Sequence, residues 1–362
     1  MERGVGGKLK TVEEILTLAV EQGVTDIFII AGGPVAFKLH GKIMPQDGEI
    51  IYPDMSRELI SHIYDVAKRD MKTVDSGDDD FAFSLPGLSR FRASVYKQRG
   101  SLAAVIRIIS FGIPDYRGLS IPEGVINSAD KASGLILVTG PAGSGKSTTL
   151  ACMINHINEE RSGHIITLED PIEYLHRNNK CIVSQREVSL DTSSYVSALR
   201  ACLRQAPDVI LVGEMRDFET IQTVMTAAET GHLVISTLHT VGAADTVDRI
   251  IDVFPPAQQQ QVRIQLSMLL QGVISQQLIP TLSGGLKPAF EVMYNNTAIR
   301  TLIRESKIHQ IDSAIASGAA EGMVAMDASL LALRKAGEID DDTALHYATN
   351  GELMQRRLAA GR

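Results

Sequence analysis

The run Gly140-Pro141-Ala142-Gly143-Ser144-Gly145-Lys146-Ser147 constrains this chain more than any other feature. It has the form G-x-x-x-x-G-K-[ST], and its context is the one such a loop needs. An apolar stretch, Gly134 to Thr139, reads as a buried strand, and a helical stretch runs on from Ser147 to Glu159. Glycines let successive backbone N–H groups turn inward around phosphate oxygens, and the start of a helix adds positive potential. Lys146 supplies a cation for the β- and γ-phosphates, and the Ser147 hydroxyl a ligand for Mg²⁺. Gly140 to Thr148 are therefore the expected nucleotide-binding residues, and a nucleoside triphosphate the expected ligand.

Length and composition set the outer limits. The 362 residues suggest two domains, and 44% hydrophobic with 22% charged residues suits a globular chain. No apolar run approaches the ~20 residues of a membrane span, and Met1–Lys10 lacks the apolar core of a signal peptide. Cys152, Cys181 and Cys202 are scattered, which argues against a disulfide framework or a structural zinc site. A cytoplasmic protein is expected. The net charge of −8 supplies no global basic field for nucleic acid, and 5% aromatic content without tryptophan offers few stacking platforms. A nucleic-acid translocase is thus the weaker alternative.

Along the chain, Thr11–Gly23 and Asp54–Lys72 have helical periodicity. Thr25–Ala31, Val35–Leu39, Phe81–Leu85, Arg90–Lys97 and Leu102–Ile109 read as strands, and Asp75 to Asp80 as an acidic turn. These make a small α+β module over residues 1–112. Pro114, Gly118 and Pro122 mark a linker at 113–122, within the broader stretch Ser110–Pro122. From 123 to 295 the pattern changes to continuous apolar strands alternating with helices: Leu135–Thr139, Ile165–Leu168, Val209–Val212 and Leu233–Thr237. That is the alternation of a RecA-like α/β core with a parallel sheet. Residues 296–362 read as a helical region, with helices at Thr297–Glu305, His309–Ser317 and Asp327–Gly337.

Three further segments end strands in polar groups. Asp208-Val209-Ile210-Leu211-Val212-Gly213-Glu214 delivers a carboxylate to the sheet edge where phosphates lie, with Gly213 where many P-loop enzymes carry a Mg²⁺-binding aspartate. Glu214 is left as general base or water positioner, or alternatively as a carboxylate capping a following helix. Thr167-Leu168-Glu169-Asp170-Pro171-Ile172-Glu173 places Glu169 to order water around Mg²⁺, with Glu173 a weaker candidate. Gly231-His232 and His239-Thr240 bracket one strand. His239 at its end can sense γ-phosphate with His232 in support, and no third ligand at metal spacing accompanies them.

The order of these segments resembles the type II/IV secretion and type IV pilus ATPases: P-loop, acidic box Ile166–Tyr174, the carboxylate strand, then the histidine box Gly231–Thr240. Val183–Val188 and Ala198–Gln205 resemble that family as well, and the likeness runs from about Val12 to Gly337. Within it, Ala298-Ile299-Arg300-Thr301-Leu302-Ile303-Arg304-Glu305 is similar to a helix of the pilus retraction ATPases, with Thr301 where asparagine is usual. Read from its residues alone, that helix is equally a basic amphipathic packing element. The resemblance implies ATP and Mg²⁺ as cofactors, a PAS-like N-terminal domain, and a homo-hexameric ring at the cytoplasmic face of the membrane. It also implies a membrane platform protein of the pilus machinery as partner, and possible company from a paralogous retraction ATPase. The activity implied is ATP-driven pilus retraction, with pilus assembly or secretion as the family's other roles. The resemblance puts Arg90, Arg92, Arg99 and Arg107 on the strands that correspond, and favours Arg99 and Arg107 as the arginines that approach the bound triphosphate.

Overall fold

The computed structural model describes residues 10–39, 42–71, 74, 77–109 and 112–360. Of the sequence readings, residues 1–9, the tail of the second helix at Lys72, Asp75-Ser76 and the Ser110 start of the linker stretch lie outside them. The chain divides into two compact units, Met1–Gly112 with Glu173–Leu175, and Ile113–Ile172 with His176–Arg362.

In the first unit, helix α1 (Val12–Glu21) starts on a capping box. Thr11 Oγ1 accepts from the Glu14 N–H at 3.2 Å, and Glu14 Oε2 accepts from the Thr11 N–H at 2.8 Å. Such a cap is worth about 1 kcal/mol. Helix α2 (Pro53–Ala67) stops short of the Lys72 expected from its periodicity, because Lys68 turns left-handed at φ 53°. Strands β1 (Asp26–Ile29), β2 (Ala36–Leu39), β3 (Lys42–Pro45), β4 (Asp78–Leu85), β5 (Ser89–Gln98) and β6 (Ser101–Ile109) form an antiparallel sheet in the order β3-β2-β1-β6-β5-β4. Leu16, Ile60 and Ile63 of the helices pack against Ile27, Phe91 and Ile106 of the sheet.

One expectation fails here. Asp78-Asp79-Asp80 is strand, not turn, because Asp79 faces inward and is neutralised there. Its carboxylate accepts from Arg69 at 2.6 and 2.9 Å and from the Tyr64 hydroxyl at 2.8 Å. Removing one partner of such a buried pair is far costlier than the pair's net contribution.

The second unit is built on a seven-stranded sheet, β7 (Gly134–Thr139), β8 (Gly163–Glu169), β9 (Cys181–Glu187), β10 (Val209–Val212), β11 (Leu233–Leu238), β12 (Leu270–Pro280) and β13 (Leu286–Tyr294). The order is β13-β12-β7-β11-β10-β8-β9, parallel throughout except for the β12–β13 hairpin. β7, β10 and β11 are buried at every position, as a sheet covered on both faces requires. One face carries α3 (Glu123–Asn127) and α4 (Lys146–Glu160). The other carries α5 (Tyr195–Cys202), α6 (Phe218–Glu229), α7 (Ala243–Asp252) and α8 (Pro256–Leu269).

The C-terminal helices are α9 (Thr297–Arg304), α10 (Ile311–Ser317), α11 (Met326–Lys335), α12 (Asp341–Tyr347) and α13 (Gly351–Ala360). Ile299, Ile303 and Ile311 enter the same core as Leu135 and Val234 of the sheet. Leu330, Met354 and Leu358 pack around Ile279 and Ala289 of the hairpin. No described helix is long and apolar enough to cross a membrane.

Candidate active site

The carboxyl ends of β7, β11, β10 and β8, neighbours in the sheet, carry the P-loop, His239, Glu214 and Glu169 respectively. Parallel pairing forces this convergence of segments far apart in sequence, and ligands of open α/β sheets bind at that edge.

Backbone geometry explains the glycines of the loop. Gly140, Gly143 and Gly145 have φ of 140°, 78° and 89°. A Cβ on Gly140 would lie 2.1 Å from the Gln276 carbonyl oxygen, and one on Gly145 would lie 2.9 Å from Gln276 Nε2. Gln276 belongs to β12, beside β7, and its Oε1 also accepts from Thr149 Oγ1 at 2.7 Å. The loop therefore rests on a glutamine that no sequence reading singled out. α4 begins at Lys146 with no side-chain cap, which leaves the N–H groups of its first turn suited to an anion. Lys146 Nζ donates to the carbonyls of Gly140 at 2.7 Å and Pro141 at 2.9 Å. Burial lowers the pKa of this ammonium, against the attraction of Glu214, which raises it. Ser144 is buried, and its Oγ has no hydrogen-bond partner among the described residues.

Glu214 is only 13% exposed. One oxygen lies 2.7 Å from Arg216 Nε and the other 3.4 Å from His239 Nε2. Its backbone is pinned on both sides: the Gly213 N–H donates to the Leu168 carbonyl at 2.8 Å, and the Met215 N–H to the Thr237 carbonyl at 3.1 Å. Thr237 Oγ1 donates to the Gly213 carbonyl at 2.5 Å. A helix-capping role is excluded, since α6 is capped by Asp217 instead. Glu169 accepts from Thr167 Oγ1 at 2.6 Å and from Gln185 Nε2 at 3.2 Å, while Glu173 is exposed.

Two expectations need correction. His232 precedes β11, and the register pairs Leu233 with Gly134 and Leu238 with Thr139. It therefore sits at the opposite end of β7 from the P-loop, on the order of 15–20 Å away at strand rise. There its Nδ1 pairs with the Ala227 carbonyl at 3.0 Å, so it closes a helix end and does not support His239. Arg99 is not on a strand. It occupies the β5–β6 turn with Gly100, at φ 47°, exposed. Arg107 is on β6, where its Nε donates to Asp26 Oδ1 at 2.9 Å, and 59% of its side chain remains exposed. Three neighbours of this edge were missed by sequence reasoning: Arg216 beside Glu214, Gln276 under the loop, and Tyr195, whose hydroxyl oxygen lies 2.9 Å from where a Cβ on Gly213 would stand. Only Arg216, two residues after Glu214, was near enough to a motif to be noticed.

The donors at this edge suit a hard divalent cation: the exposed Ser147 hydroxyl at the start of α4 and the carboxylates of Glu169 and Glu214 are all oxygen ligands. The partnerless Ser144 Oγ in the loop's floor is a further oxygen available to the phosphate–cation assembly.

A doubly covered, mostly parallel sheet with a P-loop, a carboxylate strand and a histidine at one edge defines a P-loop nucleotide-binding core. Residues 2–323 match the model of the Type II/IV secretion system protein family, and the chain belongs to that family. It is 43% identical over 340 residues to the type IV pilus retractation ATPase PilT of Pseudomonas aeruginosa, covering 93% of this chain and 98% of that protein. It is 45% identical over 321 residues to a twitching motility protein of Neisseria gonorrhoeae, covering 88% and 85%. Among solved structures, the pilus retraction motor PilT with bound ADP superposes with a TM-score of 0.87 at 46% identity, over 96% of this chain and all of that one.

Proposed function

We propose that this chain is the ATP-hydrolysing subunit of a motor that drives type IV pilus retraction. The observation that carries the reading is similarity to a retraction ATPase along nearly the whole chain, combined with the make-up of one sheet edge: Lys146 starts α4 after β7, and Glu214 and Glu169 stand at the ends of the neighbouring strands β10 and β8.

The triphosphate of ATP enters the cradle of Gly140–Thr148. Lys146 exchanges its two loop carbonyls for β- and γ-phosphate oxygens, and the phosphates take over the charge compensation that its buried ammonium lacks. Glu214 accepts a proton from the attacking water, and Glu169, fixed by Thr167 and Gln185, holds that water or the metal's hydration shell in place. Ser147 and Glu169 are the residues to hold Mg²⁺, whose charge, when bound, offsets that building on the phosphates. His239 links the γ-phosphate position to Glu214.

Six copies form a ring in which the N-terminal unit of one subunit serves the nucleotide of another. Arg99 is the preferred γ-phosphate arginine, because it forms no ion pair among the described residues whereas Arg107 has first to leave Asp26. The ring works against a membrane platform protein of the pilus machinery at the cytoplasmic face. A chromosomal Lys146→Ala allele tests the reading. A retraction motor gives cells that bear pili and do not twitch, while an assembly motor gives cells without pili.

A further inference from the structure

Gly213 stands where a metal-binding aspartate is common, and the reason it is glycine lies in its neighbours. A Cβ there would come 2.9 Å from the Tyr195 hydroxyl oxygen, 3.2 Å from the Leu168 carbonyl oxygen and 3.4 Å from Glu169 Cα. The space an aspartate side chain would enter is thus filled by a phenol from the first turn of α5. The Tyr195 ring is packed against the core of the sheet, so the hydroxyl is delivered by a rigid support. It lies at the floor of the edge between the carboxyl ends of β8 and β10, and Glu214, Asp170, Glu169 and Arg216 all act on it electrostatically. Burial first, and then the three carboxylates, push its pKa far up, so it remains a neutral O–H donor at any working pH. No described residue accepts that proton.

We propose that Tyr195 is a water-positioning group of the hydrolytic site, its hydroxyl donating to the attacking water that Glu214 deprotonates. This rests on the hydrolytic reading of Glu214 above. A water has two protons and two lone pairs. If it accepts from Tyr195 and donates to Glu169 and Glu214, one lone pair is left for the γ-phosphorus. As that lone pair forms the new O–P bond, the bond from the γ-phosphorus to the bridging oxygen breaks and its electron pair leaves with ADP. One water proton passes to Glu214. Tyr195 keeps its own proton throughout, and its contribution is geometric.

The test compares steady-state ATP hydrolysis by wild type, Tyr195→Phe and Glu214→Gln, with thermal unfolding of each. Phenylalanine keeps the ring and its packing and removes one donor. The expected result is a fall in kcat of about tenfold or more, with KM and the unfolding midpoint held near wild type. A second variant, Gly213→Ala, forces its methyl group onto the hydroxyl, and Tyr195→Phe should partly restore its kcat. A Tyr195→Phe kcat within twofold of wild type, or a fall in kcat matched by a fall in stability, overturns the proposal. If Glu214→Gln is inactive while Tyr195→Phe is unaffected, only the role of Tyr195 fails. If Glu214→Gln is fully active, the hydrolytic reading fails first and the role of Tyr195 with it.

Discussion

Arg216 holds one oxygen of Glu214 through its Nε at 2.7 Å, although its own side chain is 74% exposed. An ion pair so open to water contributes only ~0–1 kcal/mol, so little opposes its release when a triphosphate arrives. The arrangement aims the carboxylate along the sheet edge while leaving it open to an incoming water. Glu214→Gln preserves shape and removes the base. The variant should bind a fluorescent ATP analogue within about threefold of wild type and lose ~10²–10⁴ in hydrolysis rate, measured as phosphate release.

Gly145→Ala should weaken nucleotide binding without unfolding the unit. At φ 89° an alanine is strained by ~1–3 kcal/mol, and its methyl group would lie 2.9 Å from Gln276 Nε2. An affinity loss of about tenfold follows at 1.4 kcal/mol per decade. Adding Gln276→Ala relieves the contact and leaves the backbone strain, so titration of the double variant should show at most partial recovery.

Glu291 on β13 is buried and accepts from the Ala243 N–H of α7 at 2.8 Å. Burial raises its pKa above the ordinary 4.5, the Ala243 bond opposes that, and Asp312 and Asp327 add to it. The folded state therefore binds the proton more tightly than the unfolded chain. Its contribution is fully present below pH 4.5 and is lost as pH rises through the raised value. Relative to wild type, Glu291→Gln should gain in urea midpoint as pH is taken upward from 4.5. A difference that does not change with pH would remove Glu291 as the source.

α9 separates packing from transmission. Ile299 and Ile303 are fully buried and Leu302 is half-buried, whereas Arg300 and Arg304 are exposed. Ile303→Ala should cost ~2–5 kcal/mol of stability. Arg300→Glu with Arg304→Glu should leave the circular dichroism spectrum and ATP hydrolysis near wild type and stop retraction in cells, seen as loss of twitching with pili present.

Continuous apolar strands were legible because β7, β10 and β11 are buried on both faces, so no alternation dilutes their signal. β9 was not legible: as the edge strand, it buries only Cys181 and Glu187 fully. The β12–β13 hairpin escaped because its polar Ser275, Gln276 and Glu291 are buried for tertiary reasons, supporting the Gly242 N–H, Thr149 and the Ala243 N–H. P-loop, Glu214, Glu169 and His239 could be placed from the sequence since each directly follows or ends a strand. His232 was misplaced because proximity in sequence to His239 hides the full length of β11 between them. Tyr195 had no sequence signal at all, since its place depends on α5 crossing the end of β10.

The cradle, the two carboxylates and His239 come from strand ends between residues 139 and 239, brought together only through the ordered sheet. No shorter stretch of chain carries the cradle, the carboxylates and the histidine together, so affinity for nucleotide is a property of the finished sheet and not of its parts. Free nucleotide consequently acts as a reporter and an aid of folding. At a hundredfold excess over its dissociation constant it adds about 2.7 kcal/mol to the native state and nothing to the unfolded one. During a catalytic cycle that increment comes and goes with occupancy, and the resistance of the subunit to heat or proteolysis oscillates with its fuel.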